Sequence, residues 1–234
     1  MNKQSNIYTV FYIVILVVVV GTALAITSMS LKDRQQANAD NDRRRQILAS
    51  INITPAEGEI QADFDKYIVG QVVINEKGEE TGKDAFGVNV AAQVKLPSEE
   101  RQLPLYICKI DGTTKYIIPL YGAGLWGPIW GYLSLNEDGS TIYGAYFGHQ
   151  GETPGLGAEI TKESFYGQFP GKEIFKGGQF APVSVVKNGQ KPSGNEDYVN
   201  GISGGTITSK GVSAMLSDCL APYKAYLEKL QKSK

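Results

Sequence analysis

The chain has 234 residues, two cysteines, one histidine and a formal net charge of −1. That balance leaves no electrostatic footprint for nucleic acid, and without a Cys-x-x-Cys pair the chain offers no iron–sulfur or zinc motif. The length accommodates one soluble domain of roughly 180–200 residues plus an N-terminal segment, and 27 glycines with 13 tyrosines point to turn-rich, sheet-rich structure.

After a short tail, 1–6, the stretch 7–26 is almost entirely apolar and carries no charge. A helix of that length rises about 30 Å, one bilayer core, so we read a transmembrane helix. A cleaved signal peptide is the competing reading, with Lys3 as its n-region and Ala23-Leu24-Ala25 as a small-residue cleavage site. Lys32, Arg34 and Arg43-Arg44-Arg45 follow the span, interspersed with Asp33, Asp40 and Asp42. Charge alone would keep the large domain inside, although long domains translocate largely regardless of charge.

Residues 27–55 form a polar, helix-favouring juxtamembrane segment. Its helix is expected to continue through Gln46-Ile47-Leu48 and stop near Ile53-Thr54-Pro55, with the arginines on a solvated face or against lipid headgroups or a partner subunit. From residue 56 to 234 the patterns describe one domain. Tyr67 to Asn75, Ala91 to Leu96, Leu105 to Ile110, Lys115 to Pro119, Gly131 to Leu135, Thr141 to Phe147 and Val183 to Lys187 read as strands. Asp111-Gly112 and Asn136-Glu137-Asp138-Gly139 are hairpin signals. Glu163 to Tyr166 reads as a short helix. A closing helix runs to about Leu230, bent or bounded at Pro222. Its buried face is Val212, Met215, Leu216, Cys219, Leu220 and Tyr223. The sum is an α+β fold: a twisted antiparallel sheet with a packed C-terminal helix, preceded by one N-terminal transmembrane helix. Cys108 and Cys219 could pair only if the fold brings them together.

Chemistry concentrates in the turn Ser203-Gly204-Gly205-Thr206 and the helix after it, where Thr208 or Ser209 can serve as N-cap. Glycines leading into a helix N-terminus favour an anion, because amides and the helix dipole face it; an ordinary loop and cap is the plain alternative. No Walker or Gly-x-Gly-x-x-Gly spacing is present. His149, the sole histidine, has no second metal ligand at metal-like spacing, and no Gly-x-Ser-x-Gly elbow supports a hydrolase.

Ser203-Gly204-Gly205-Thr206-Ile207-Thr208-Ser209 resembles the Ser-Gly-Ala-Thr-x-Thr-Ser motif of domains that carry FMN covalently. Gly205 replaces the family's alanine, and Asn200 its aspartate. Glu152-Thr153-Pro154-Gly155-Leu156-Gly157 is similar to a second stretch of the same domains. Gly124-Leu125-Trp126-Gly127 resembles the C subunits of sodium-translocating NADH:quinone reductases, more closely than the G subunits of Rnf-type complexes.

The resemblance covers nearly the whole chain and implies a membrane-anchored electron carrier, with the other proteins of its complex as partners. FMN would be joined by phosphoester to Thr206 by a magnesium-dependent flavin transferase that takes it from FAD. The FMN domain would lie on the outer, periplasmic side of the bacterial inner membrane. Ser203, Gly204, Gly205, Thr208 and Ser209 are then expected around the phosphate. Glu152, Thr153, Gly155, Leu156, Leu125 and Trp126 are expected around the flavin, although Trp126 could equally be core. No metal site is expected. With no nucleotide fingerprint the chain is not the hydride acceptor, and one span forms no ion channel. An Rnf subunit, or a non-catalytic membrane-anchored FMN module, is the alternative.

Overall fold

The computed structural model describes residues 6–232; Lys3 and the rest of the tail before Asn6 lie outside the described residues, as do the last two positions. The chain divides into two units, residues 1–43 and 44–234. Helix α1 spans Asn6–Ala49. Its side chains from Val10 to Val20 are exposed, and it is the one helix among the described residues long and apolar enough to cross a membrane. The helix ends at Ala49, short of the expected Ile53. Asn52 adopts φ 61°, and the Ile53 amide turns back to the Leu48 carbonyl at 3.0 Å. A left-handed asparagine is a common way to satisfy the last carbonyls of a helix.

The domain is built on a six-stranded antiparallel sheet. Its strands are β1 (Ile68–Ile74), β2 (Glu80–Gly82), β3 (Leu103–Ile110), β4 (Thr113–Ala123), β5 (Pro128–Asn136) and β6 (Ile142–His149), in spatial order β2-β1-β3-β4-β5-β6. Sequential hairpins explain most of that order. Asp111 and Gly112 both have positive φ, 49° and 77°, the type I′ geometry that matches strand twist. At the β5–β6 turn, the Asp138 carboxylate accepts the amides of Ser140 and Thr141 at 2.8 and 2.9 Å, with Gly139 at φ 65°.

Alternate residues of each strand face opposite sides, and both sides are covered. On one, Ile74, Leu105, Ile118, Leu133 and Phe147 pack against Val212, Met215 and Leu216 of helix α5 (Thr206–Leu220). Phe147, Phe165 and Phe169 stack there with centroids 5.1–5.7 Å apart. On the other, Val73, Tyr106, Ile117 and Tyr132 pack against Ile47, Leu48 and Ile51 and against Phe64 of helix α2 (Ile60–Tyr67). Cys108 belongs to the second cluster and Cys219 to the first. The sheet therefore separates them, and both are free thiols.

One expected strand is corrected. Helix α3 (Val90–Gln93) overlaps the expected strand at residues 91–96, because the Asn89 side chain accepts the Ala92 amide at 3.2 Å and caps a helical turn. Helix α4 (Glu163–Tyr166) follows the expectation. Two small pairs complete the domain: β7 (Phe175–Lys176) with β8 (Gln179–Phe180), and the parallel pair β9 (Ser184–Val186) and β10 (Tyr198–Asn200). Beyond α5 a short turn of helix, Ala221–Tyr223, carries Pro222 and leads into helix α6 (Lys224–Lys232).

The chain after α1 is locked onto the sheet at close range. Ser134 donates its hydroxyl to the Ser50 carbonyl at 2.6 Å, and a Cβ on Gly144 would strike that same carbonyl. Gly144→Ala is expected to destabilise the full chain by about 1–3 kcal/mol, read as a lower thermal midpoint in detergent.

Candidate functional site

Strand β10 delivers the chain to the site. The Gly201 amide bonds the Val186 carbonyl at 2.7 Å, and the Gly205 amide returns to the Ile202 carbonyl at 3.0 Å. Gly204 sits at φ 75°, so Ile202-Ser203-Gly204-Gly205 is a turn with glycine at the position that needs positive φ. Helix α5 begins at once, with Thr206 as its first residue and no side-chain cap. Thr208 and Ser209 therefore lie inside the first turn, and the expectation of a cap at either is corrected.

Helical spacing divides the hydroxyls. Thr206 is exposed, whereas Thr208 and Ser209 are buried. Thr208 donates to Glu152 Oε2 at 2.6 Å, and Ser209 Oγ accepts the Ile202 amide at 2.9 Å. These bonds fasten the loop to the helix. Ser203 and Gly204 are exposed beside Thr206, while Gly205 is buried. The Ser209 amide bonds the Gly205 carbonyl. The amides of Thr206, Ile207 and Thr208 precede the helical ladder and have no backbone acceptor among the described residues.

The second segment is a rigid turn below this one. Gly155 has φ 76°, and the Thr153 carbonyl accepts the amides of Leu156 and Ala158 at 3.1 and 3.2 Å. Pro154 and Gly155 thus form the expected type II arrangement, and Thr153 is exposed. Leu156 is 42% exposed and lies against the glycine turn: a Cβ on Gly204 would be 2.6 Å from its Cδ2. His149 Nδ1 accepts the Glu152 amide at 3.2 Å, so the lone histidine holds the entry to this loop.

The third segment joins β4 to β5. Gly124 closes it with a 2.8 Å bond to the Gly127 carbonyl, and the Trp126 amide donates to Glu152 Oε1 at 2.8 Å. Trp126 is 68% exposed and Leu125 49%, which removes Trp126 from the core. Sequence reasoning missed Ile207, 56% exposed beside Thr206. It also missed Lys187, Asn188 and Lys210, which line a pocket of about 150 Å³ together with Ser203, Gly204 and Thr206. Lys210 stands four residues from Thr206, one helical turn, and was legible from that spacing; Lys187 arrives from β9 and was not.

These residues fit FMN. Free amides at a helix start and two ammonium groups suit a phosphate, the exposed apolar side chains suit a flavin ring, and Thr206 offers an accessible hydroxyl. Burial alone would raise the Glu152 carboxyl, but hydrogen bonds from Thr208, Trp126 and Leu125 outweigh it and hold the group below the usual carboxylate range. A depressed folded value means Glu152 contributes stability above the unfolded value of about 4.3 and loses it as pH falls through the folded one. Acid titration of the melting temperature is expected to show this loss, and Glu152→Gln to reduce it.

Residues 124–221 match the family of FMN-binding domains. The chain is 31% identical over 228 residues to the C subunit of the Na(+)-translocating NADH-quinone reductase of Vibrio anguillarum, covering 90% of this chain and 89% of the relative. It is 32% identical over 218 residues to the equivalent protein of Vibrio vulnificus, covering 83% and 85%. A crystal structure of the Parabacteroides distasonis C subunit superposes with a TM-score of 0.80 at 49% identity, covering 84% of this chain and 96% of that one. The Shewanella oneidensis NqrC structure, at 24% identity and a TM-score of 0.71 over 85% of this chain and all of that one, shares the fold. The chain belongs to the family of Na(+)-translocating NADH-quinone reductase C subunits.

Proposed function

We propose that this chain is the membrane-anchored, FMN-carrying electron-transfer subunit of a sodium-translocating NADH:quinone reductase, with the flavin joined to Thr206. One observation carries the reading: an exposed threonine opens a 15-residue helix, beside unpaired amides and two lysines, in a segment resembling the flavinylation motif. Membership of the reductase family favours this reading over an Rnf-type subunit, and a match along nearly the whole chain favours it over a stand-alone flavin module.

The chain's own residues supply attachment, orientation and charge. A flavin transferase would form the bond from Thr206 Oγ to phosphorus while the diphosphate of FAD breaks and AMP departs. Lys187, Lys210 and the amides of the first turn of α5 would then offset the phosphodiester charge. Leu125, Trp126, Leu156 and Ile207 would present apolar surface to the ring, and the Thr153 hydroxyl and nearby backbone groups would bond its polar edge. FMN held by these residues would supply electron transfer between the cofactors of partner subunits. Helix α1 would anchor the protein in the inner membrane, with the FMN domain on the periplasmic side.

Denatured wild-type chain is expected to fluoresce as a flavin band in a gel, and Thr206→Ala to be dark. Its stability is expected to stay within about 0.5 kcal/mol of wild type, because the side chain is exposed; a fluorescent Thr206→Ala chain would contradict the assignment. Reversing both Lys187 and Lys210 to glutamate is expected to slow flavin loading at low ionic strength. Added salt is expected to shrink the deficit, measured as fluorescence gained over time with the transferase.

A further inference from the structure

Glu152 is the only carboxylate buried among the described residues, at 5% exposure, and no lysine or arginine there forms an ion pair with it. Its two oxygens join three segments that are distant in the chain. Oε1 receives the Trp126 amide from the β4–β5 loop, and Oε2 receives the Thr208 hydroxyl from the first turn of α5. Space around it is reserved by glycine. A Cβ on Gly124 would strike Oε1, and one on Gly157 would strike both Oε2 and Thr208 Oγ1.

The Thr208 hydroxyl and the amides of Trp126 and Leu125 all donate to this group, an arrangement that favours its anionic form. A glutamine could accept from the Trp126 amide with its oxygen and donate to Thr208 with its nitrogen. Burying a carboxylate is costly compared with burying such an amide, and here these donors, with His149 nearby, keep the negative charge in place. It stands at the first turn of the helix that begins with Thr206. Resting on the FMN reading above, we propose that Glu152 is a positioning residue that fixes the three flavin-facing segments in register, and that its charge lowers the reduction potential of the flavin on Thr206. A fixed anion bonded within the first turn of the helix that would carry the flavin disfavours reduction of a ring that gains negative charge. Removing the charge while keeping the bonds therefore raises the potential.

The test uses the full chain in detergent, loaded by the flavin transferase. Intact mass, melting temperature and flavin midpoint potential are read for wild type, Glu152→Gln and Thr208→Val. The expected result is that Glu152→Gln carries the same flavin mass as wild type and melts somewhat lower at pH 7, where the wild-type carboxylate is ionised, with a higher midpoint potential. That difference narrows as pH falls and the wild-type carboxylate protonates, with His149, the titratable side chain facing it, present in both chains. Thr208→Val keeps the charge but leaves Oε2 without its donor, so it melts lower without a raised potential. A Glu152→Gln potential equal to wild type overturns the proposal, whatever the melting temperature. So does a Thr208→Val potential raised as far as that of Glu152→Gln, because loosened packing would then set it. A wild-type chain without flavin overturns the Thr206 reading as well, and its mass distinguishes that case from the others.

Discussion

The hydrogen bond from Thr208 to Glu152, with the Trp126 amide on the other carboxylate oxygen, is the constraint on which the site depends. Three loops rich in glycine have little intrinsic preference for one arrangement, and each would lose backbone entropy on ordering. Hydrogen bonds to a charged group contribute about 1.5–3 kcal/mol each, and here they converge on one buried side chain. Thr208 is drawn inward by its bond, and the turn of the helix then directs Thr206 outward. The inward threonine is therefore the reason that the outward one is accessible.

That arrangement needs a rigid base, which the sheet provides. Helix α5 lies on one face through Val212, Met215 and Leu216, and the last turn of α1 with Ile47, Leu48 and Ile51 lies on the other. Each strand between them alternates its side chains into two apolar layers. Strands β4 and β6 end at the site on either side of β5, so the loops that follow them meet at Glu152. Contact between Gly122 and Met215 and between Gly211 and the Ala123 carbonyl sets α5 close to the end of β4. The helix start is thereby brought beside the Gly124–Gly127 loop.

The hairpins were legible in the sequence because their signals are local. Asp111-Gly112 demands two positive φ angles, and Leu105 to Ile110 is a mostly apolar run of strand length. Residues 91–96 were misread because their apolar content suits either element, and the deciding group, the Asn89 side chain, lies outside the apolar run. The three motifs were legible as separate stretches, and only the family resemblance brought them to one site: Glu152 meets partners 26 and 56 residues away, and no spacing rule reaches that far. The loop partners of Thr208 and Ser209 were not legible, because a serine or threonine near a helix start reads the same in the sequence whether it faces a ligand or a neighbouring loop. Lys187 was invisible for the same reason as Glu152, since only the β9–β10 pairing brings it near Thr206.

On the proposed reading, the chain would combine a fixed attachment point with a supporting charge and leave hydride transfer and ion movement to its partners. The central claim is that the exposed threonine at the start of α5 carries the flavin. The most direct measurement is tandem mass spectrometry of the chain purified from its native membrane. The account expects one added FMN, less one water, on the peptide containing residues 203–209, with fragments placing it on Thr206. An unmodified peptide from cells with an active flavin transferase, or an increment on another residue, would contradict it.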